Sequence, residues 1–129
     1  MAKQIIGEPL SVGGRTLPLS VGVRANGFLF LSGQLGTDAS FRLAGDDVAT
    51  QTRQAIDNLE AALAEGGCTL DDVVKVTAFI TDASLAAAFN AAYAARFPSA
   101  PPARSTVVCG LLLPGAVVEI EAIAALPKV

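Results

Sequence analysis

The strongest constraint on the fold is a pair of strand-like segments that are apolar on both faces. Phe28-Leu29-Phe30-Leu31 runs without a polar break, and residues 73–80, Val-Val-Lys-Val-Thr-Ala-Phe-Ile, are dominated by β-branched and aromatic side chains. Such side chains crowd a helix but suit a pleated sheet. A sheet built from such strands needs a cover on each side. Two helical patterns can supply one cover. From Asp46 onward, Val48, Thr52, Ile56, Leu59 and Leu63 recur every three or four residues, with Asp46 or Asp47 as N-cap and Gly66-Gly67 as the stop. Ser84 offers the cap of a second helix, in which Leu85, Phe89, Tyr93 and Phe97 form one i, i+4 stripe before Pro98 ends it. With both helices on one face of the sheet, the other face is left for neighbouring copies of the chain.

Turn chemistry sets the order of the remaining elements. Asn26-Gly27 takes the positive backbone angles of a tight hairpin and predicts pairing of residues 18–24 with 28–33; Gly13-Gly14 marks an earlier turn. Residues 69–73 predict a brief turn. Pro101-Pro102 imposes a stiff, extended lead-in to Ala103-Arg104. Residues 104–112 and 116–125 flank Pro114-Gly115 and predict a second hairpin. The expected order is ββαβαββ, an α+β fold with a mixed or mostly antiparallel sheet, and no linker or repeat divides residues 1–129 into more than one domain.

Composition narrows the chemistry. The hydrophobic fraction of 52% in a chain of 129 residues favours an oligomer, because a small monomer seldom tolerates the exposed apolar surface this implies. A net charge of −3 with no basic block argues against nucleic acid. No apolar run approaches the roughly 20 residues of a membrane span, and the first residues lack a secretory pattern, so a cytoplasmic location is expected. The two cysteines, Cys68 and Cys109, have no metal-like spacing and are expected to be reduced. Histidine is absent, which removes Ser-His-Asp and Cys-His catalysis and the usual zinc sites. With no phosphate-cradling glycine motif either, no cofactor is expected.

Arg104 stands out because it opens an otherwise apolar strand at a fixed backbone position. Its planar fork suits a substrate carboxylate. A structural ion pair with Glu119 or Glu121 is the alternative. Those two acids share a sheet face by period-2 alternation, and partial burial of Glu119 would bring its pKa toward the range of proton transfer. Ser32-Gly33-Gln34 ends the first apolar strand, either as a plain strand-to-loop transition or with a hydroxyl and a backbone N–H facing a ligand. Asn90 either donates across an interface or meets solvent. Tyr93 reads as core and Cys109 as packing.

The combination of Pro102-Ala103-Arg104-Ser105 with Glu119-Ile120-Glu121-Ala122 resembles the C-terminal signature of the RidA/YjgF family. Ser32-Gly33-Gln34, Gln54-Ala55-Ile56-Asp57-Asn58-Leu59, Val74-Lys75-Val76-Thr77 with Phe79, and Phe89-Asn90 with Tyr93 also correspond. The resemblance implies a chorismate-mutase-like, two-layer homotrimer with clefts between subunits. It further implies hydrolysis of 2-aminoacrylate, 2-iminobutyrate or a related imino acid to a 2-keto acid and ammonia. Arg104 would clamp the carboxylate and Glu119 would position or activate water. Gly33 and Thr106 would offer backbone groups, with Ser32 and Asn90 nearby. Two positions depart from the family: Leu19 stands where typical members have tyrosine, and Thr106 where many have cysteine. A more apolar wall and a missing thiol imply a shifted substrate or rate, and keep open a non-catalytic trimer that binds small carboxylates or a partner protein.

Overall fold

The computed structural model describes residues 2–128. Its main sheet has six strands in the order β1 (Gln4–Ile6), β4 (Gly22–Ala25), β5 (Phe28–Leu35), β8 (Val118–Ala125), β6 (Val73–Ile80) and β7 (Ala103–Val108). Strands β2 (Ser11–Val12) and β3 (Arg15–Thr16) form a separate small hairpin around Gly13-Gly14. Helix α1 (Val48–Glu65) packs against β5, β8 and helix α2 (Ala86–Ala94). The β6–β7 pair is parallel and the other pairs are antiparallel, so the sheet is mixed. This is the expected α+β class.

Local signals act where expected. Asn26 and Gly27 adopt φ of 52° and 83° between β4 and β5, the double positive angle of a two-residue hairpin. That hairpin begins at residue 22 rather than 18. Asp47 caps α1 by accepting from Thr50 N at 2.9 Å. At the other end Gly67 takes φ 85°, and Cys68 N reaches back to Leu63 O at 2.8 Å, which satisfies carbonyls the helix leaves open. The brief turn after α1 is a single 3-10 turn at Leu70–Asp72. The second helix differs: Asp82, not Ser84, supplies the cap, accepting from Ser84 N at 2.8 Å. A 3-10 turn at Ala83–Leu85 then leads into α2, which stops at Ala94, short of Pro98.

The expected second hairpin does not form. Leu113, Pro114, Gly115 and Ala116 make the anticipated turn, with Gly115 at φ 85° and Ala116 N bonded to Leu113 O at 3.1 Å, but the strands beside it do not pair. Instead β6 lies between β7 and β8. The segment from β6 through α2 to β7 is long enough for the crossover that a parallel neighbour requires, and residues 109–117 then carry the chain to the other side of β6.

The core lies between the helices and one sheet face. Leu29, Ile56, Leu59, Leu63, Val76, Ile80, Phe89, Val118 and Ile120 are all fully buried there. Alternation places Phe28, Phe30, Lys75, Thr77, Phe79, Ser105, Val107, Glu119, Glu121 and Ile123 on the opposite, helix-free face. Cys68 and Cys109 are both free thiols.

Candidate functional site

The residues singled out from the sequence fall into two groups. The first surrounds Arg104. Its partner in the β6–β7 ladder is Val76, a buried, helix-facing residue, so Arg104 points to the α2 side of the sheet. Its guanidinium stacks over the rings of Tyr93 at 4.6 Å and Phe89 at 5.2 Å. It also donates to Asn90 Oδ1 at 2.7 Å. Ring faces attract a cation and the amide fixes its rotation, so an exposed side chain is held in one pose. Thr106, two residues along the same edge strand, shares this face.

The sequence had left a structural ion pair open for Arg104. Among the described residues, ion pairs join only Arg96 to Asp57 at 2.7 Å and to Glu60 at 3.2 Å. Arg104 meets neither Glu119 nor Glu121. Register explains why: Glu119 pairs with Phe79, three residues from Val76 along β6, and an odd separation means opposite faces.

The second group surrounds Glu119. A cavity of about 710 Å³ is lined by Leu19, Ser32, Gly33 and Glu119 together with α1 residues Asn58, Ala61 and Glu65. A smaller one of about 310 Å³ is lined by Gly33, Phe79, Cys109, Glu119 and Glu121. Gly33 and Glu119 border both, so the cavities adjoin there. The β5–β8 register shifts between Leu31 and Gln34, a bulge that presents Ser32-Gly33 to this space. A Cβ on Gly33 would lie 2.7 Å from Glu119 Oε2, so glycine is required for the carboxylate to sit where it does. Ser32 Oγ donates to Ser20 O at 2.6 Å and Ser32 N to Val21 O at 3.0 Å. The hydroxyl proton is thereby committed, and the oxygen is left to accept a bond from a ligand.

Burial raises the Glu119 carboxyl above the ordinary carboxylate range, and the nearby charge of Glu121 adds to the effect. A carboxyl so placed exchanges protons closer to neutrality. The larger cavity contains the acids Asp38, Glu65 and Glu119 and no lysine or arginine, so a bound carboxylate would need its counter-charge from elsewhere.

Several features went unread in the sequence. The Phe89/Tyr93 stripe is buried as its spacing predicts, and its rings also form the platform under Arg104. Cys109, which the sequence places in packing, is half-buried and borders the smaller cavity beside Glu119. Asn58 donates to Leu35 O at 2.9 Å and Thr37 O at 2.8 Å, tying the end of β5 to α1. Phe41 lines the larger cavity and carries no motif that could have singled it out. No group of three or more metal-ligating side chains converges among the described residues, and no helix is long and apolar enough to cross a membrane.

A family model described as Endoribonuclease L-PSP matches residues 15–126. A RutC family protein of Synechocystis sp. is 41% identical over 113 residues, covering 85% of this chain and 87% of its own. The Rid family protein YyfA of Yersinia pestis, described as of unknown function, superposes with a TM-score of 0.85 at 38% identity, covering 97% of this chain and 100% of that one. RidA from an Antarctic Psychrobacter species does so with a TM-score of 0.84 at 33% identity, covering 95% and 99%.

Proposed function

The chain belongs to the RidA/YjgF family, and from that premise we propose that it hydrolyses small 2-imino acids, including those formed from 2-enamines such as 2-aminoacrylate, to 2-oxo acids and ammonia. The observation that carries this reading is the state of Arg104. A guanidinium held by two rings and an amide, with no carboxylate partner among the described residues, is a ready anion clamp. Because Glu119 lies on the opposite sheet face, the two act on one substrate only if they come from different copies of the chain. A homotrimer with a site at each subunit boundary meets that need and covers the apolar sheet face.

The chemistry asked of such a site is modest. Water adds to C2 of the C=N group, and one of its protons passes through Glu119 to nitrogen to give a carbinolamine. The carbinolamine hydroxyl then passes its proton by the same carboxyl to nitrogen as C=O forms, the C–N bond breaks and ammonia leaves. Orientation and these relayed proton transfers suffice, because the imine is already electrophilic. Ser32 Oγ can accept from the imine N–H, and Gly33, Leu19, Asn90 and Thr106 complete the walls. The acids around the cavity and the net charge of −3 favour this reading over an RNA substrate, whose phosphates they would repel.

The test is a coupled assay in which a dehydratase acting on serine or threonine releases the enamine. Wild-type protein is expected to speed 2-oxo acid release, and Arg104→Ala to lower kcat/KM by a factor on the order of 100 or more, as loss of a charge-assisted bidentate pair implies. Equal acceleration by both proteins overturns the proposal. Tight calorimetric binding of 2-oxobutyrate with no turnover would instead identify a carboxylate-binding module.

A further inference from the structure

The larger cavity is far roomier than the smallest imino acids require. On a single copy of the chain it measures about 710 Å³ and is partly open to solvent, whereas a three-carbon imino acid, with six heavy atoms, fills roughly 180 Å³ at about 30 Å³ per water-sized group. Away from Ser32, Gly33 and Glu119 its walls include Leu10, Leu17, Leu19 and Phe41. A methyl side chain would leave those walls against water, and an aliphatic or aromatic one would cover them.

Phe41 is held at this wall against its backbone preference. Its φ of 61° lies in the left-handed region that side-chain-bearing residues avoid. The surrounding loop enforces the angle. Asp38 Oδ1 accepts from Ser40 N at 2.8 Å and Arg42 N at 3.0 Å, and those bonds hold its carboxyl below the ordinary range, so it stays an ionised acceptor. Phe41 N donates to Asp38 O at 3.0 Å and Asp38 N to Arg42 O at 2.9 Å. Asn58 anchors the base of the loop through Thr37 O at 2.8 Å. Backbone strain held by this many bonds fixes the place of the Phe41 ring at the cavity wall.

We infer that this cavity is a side-chain pocket selecting imino acids with a bulky apolar side chain over three- and four-carbon ones, with Leu19 and Phe41 as its specificity-determining residues. The inference rests on the deaminase reading of the same site and deepens it. The reacting C=N group sits beside Glu119, the carboxylate turns outward to Arg104 of a neighbouring copy, and the side chain extends along Leu17 and Leu19 to Phe41.

The protein is assayed with imino acids generated in situ from leucine, phenylalanine and alanine by an L-amino-acid oxidase. Wild-type kcat/KM is expected to favour the leucine-derived over the alanine-derived imine by a factor on the order of 10 to 100, the discrimination that added methylenes give in an apolar pocket. Phe41→Gly removes the wall while glycine takes the same backbone angle without strain, so the loop keeps its backbone path. It should cut that preference by about tenfold, and Leu19→Ser should act in the same direction. Hydrolysis of the alanine-derived imine at least as fast as the leucine-derived one, or a preference unchanged in Phe41→Gly, overturns the pocket and leaves the deaminase reading standing. If no imine is hydrolysed, the deaminase reading fails and calorimetry judges the pocket alone. Tighter binding of 4-methyl-2-oxopentanoate than of pyruvate, lost in Phe41→Gly, upholds it, and equal affinities overturn it.

Discussion

Glu119 shows how the chemistry of one residue is set by its surroundings. Burial, and after it the charge of Glu121, raises its carboxyl above the ordinary carboxylate range. In the proposed role of base it works only when ionised, so kcat/KM should fall as pH drops through that raised value, at higher pH than a free glutamate would give. Glu121→Gln removes the like charge and leaves the burial. The acidic limb of the pH–rate profile is therefore expected to move part of the way down, and a limb that stays put would show that the two carboxylates do not sense each other. Stability runs in the opposite direction. The native state binds this proton more tightly than the unfolded chain, so stability declines as pH rises from the unfolded to the folded pKa. At neutral pH, Glu119→Gln should lose activity yet unfold at no lower urea concentration than wild type, which separates a chemical role from a structural one.

Among the elements, α1 helps to position the candidate site through the buried amide of Gln51. Gln51 Nε2 donates to Gly45 O at 2.9 Å and Gly115 O at 3.0 Å, while its Oε1 accepts from Val117 N at 2.9 Å. One side chain thus joins the lead-in to α1, the turn before β8 and the residue two positions before Glu119. Gln51→Leu keeps the volume but leaves these backbone groups without their side-chain partner, at about 1–3 kcal/mol for each buried group left unsatisfied. A loss of roughly 3 kcal/mol or more is expected in urea unfolding, with an unchanged midpoint as the contrary result. Asp47, Asn26-Gly27 and Gly66-Gly67 could be read from the sequence because each acts on backbone within a few residues. Strand pairing could not. Pro114-Gly115 makes its turn as composition predicts, but whether the flanking strands pair depends on β6, more than thirty residues away in sequence. Gln51 was hidden for the same reason, since its three partners lie up to 66 positions away. Arg104 and Glu119 were found as residues, and only the register of β6 showed that they face opposite ways.

At the scale of the whole molecule, two facts about the sheet point to one arrangement. Its helix-free face leaves Phe28, Phe30 and Val107 more than 40% exposed, an apolar surface that a soluble chain ordinarily covers by self-association. The same sheet separates two residues of the candidate site, with Arg104 on the α2 side and Glu119 on the open side. If neighbouring copies share each site, two inactive variants can repair one another. Differently tagged chains carrying Arg104→Ala or Glu119→Gln are co-expressed, and assemblies containing both are isolated. In a trimer that holds both variants, about one boundary in three brings an intact Arg104 to an intact Glu119. Activity about a third of wild type is therefore expected from the isolated mixed assemblies, while each variant alone stays inactive. A site contained within one chain would recover nothing, because every chain in the mixture lacks one of the two residues.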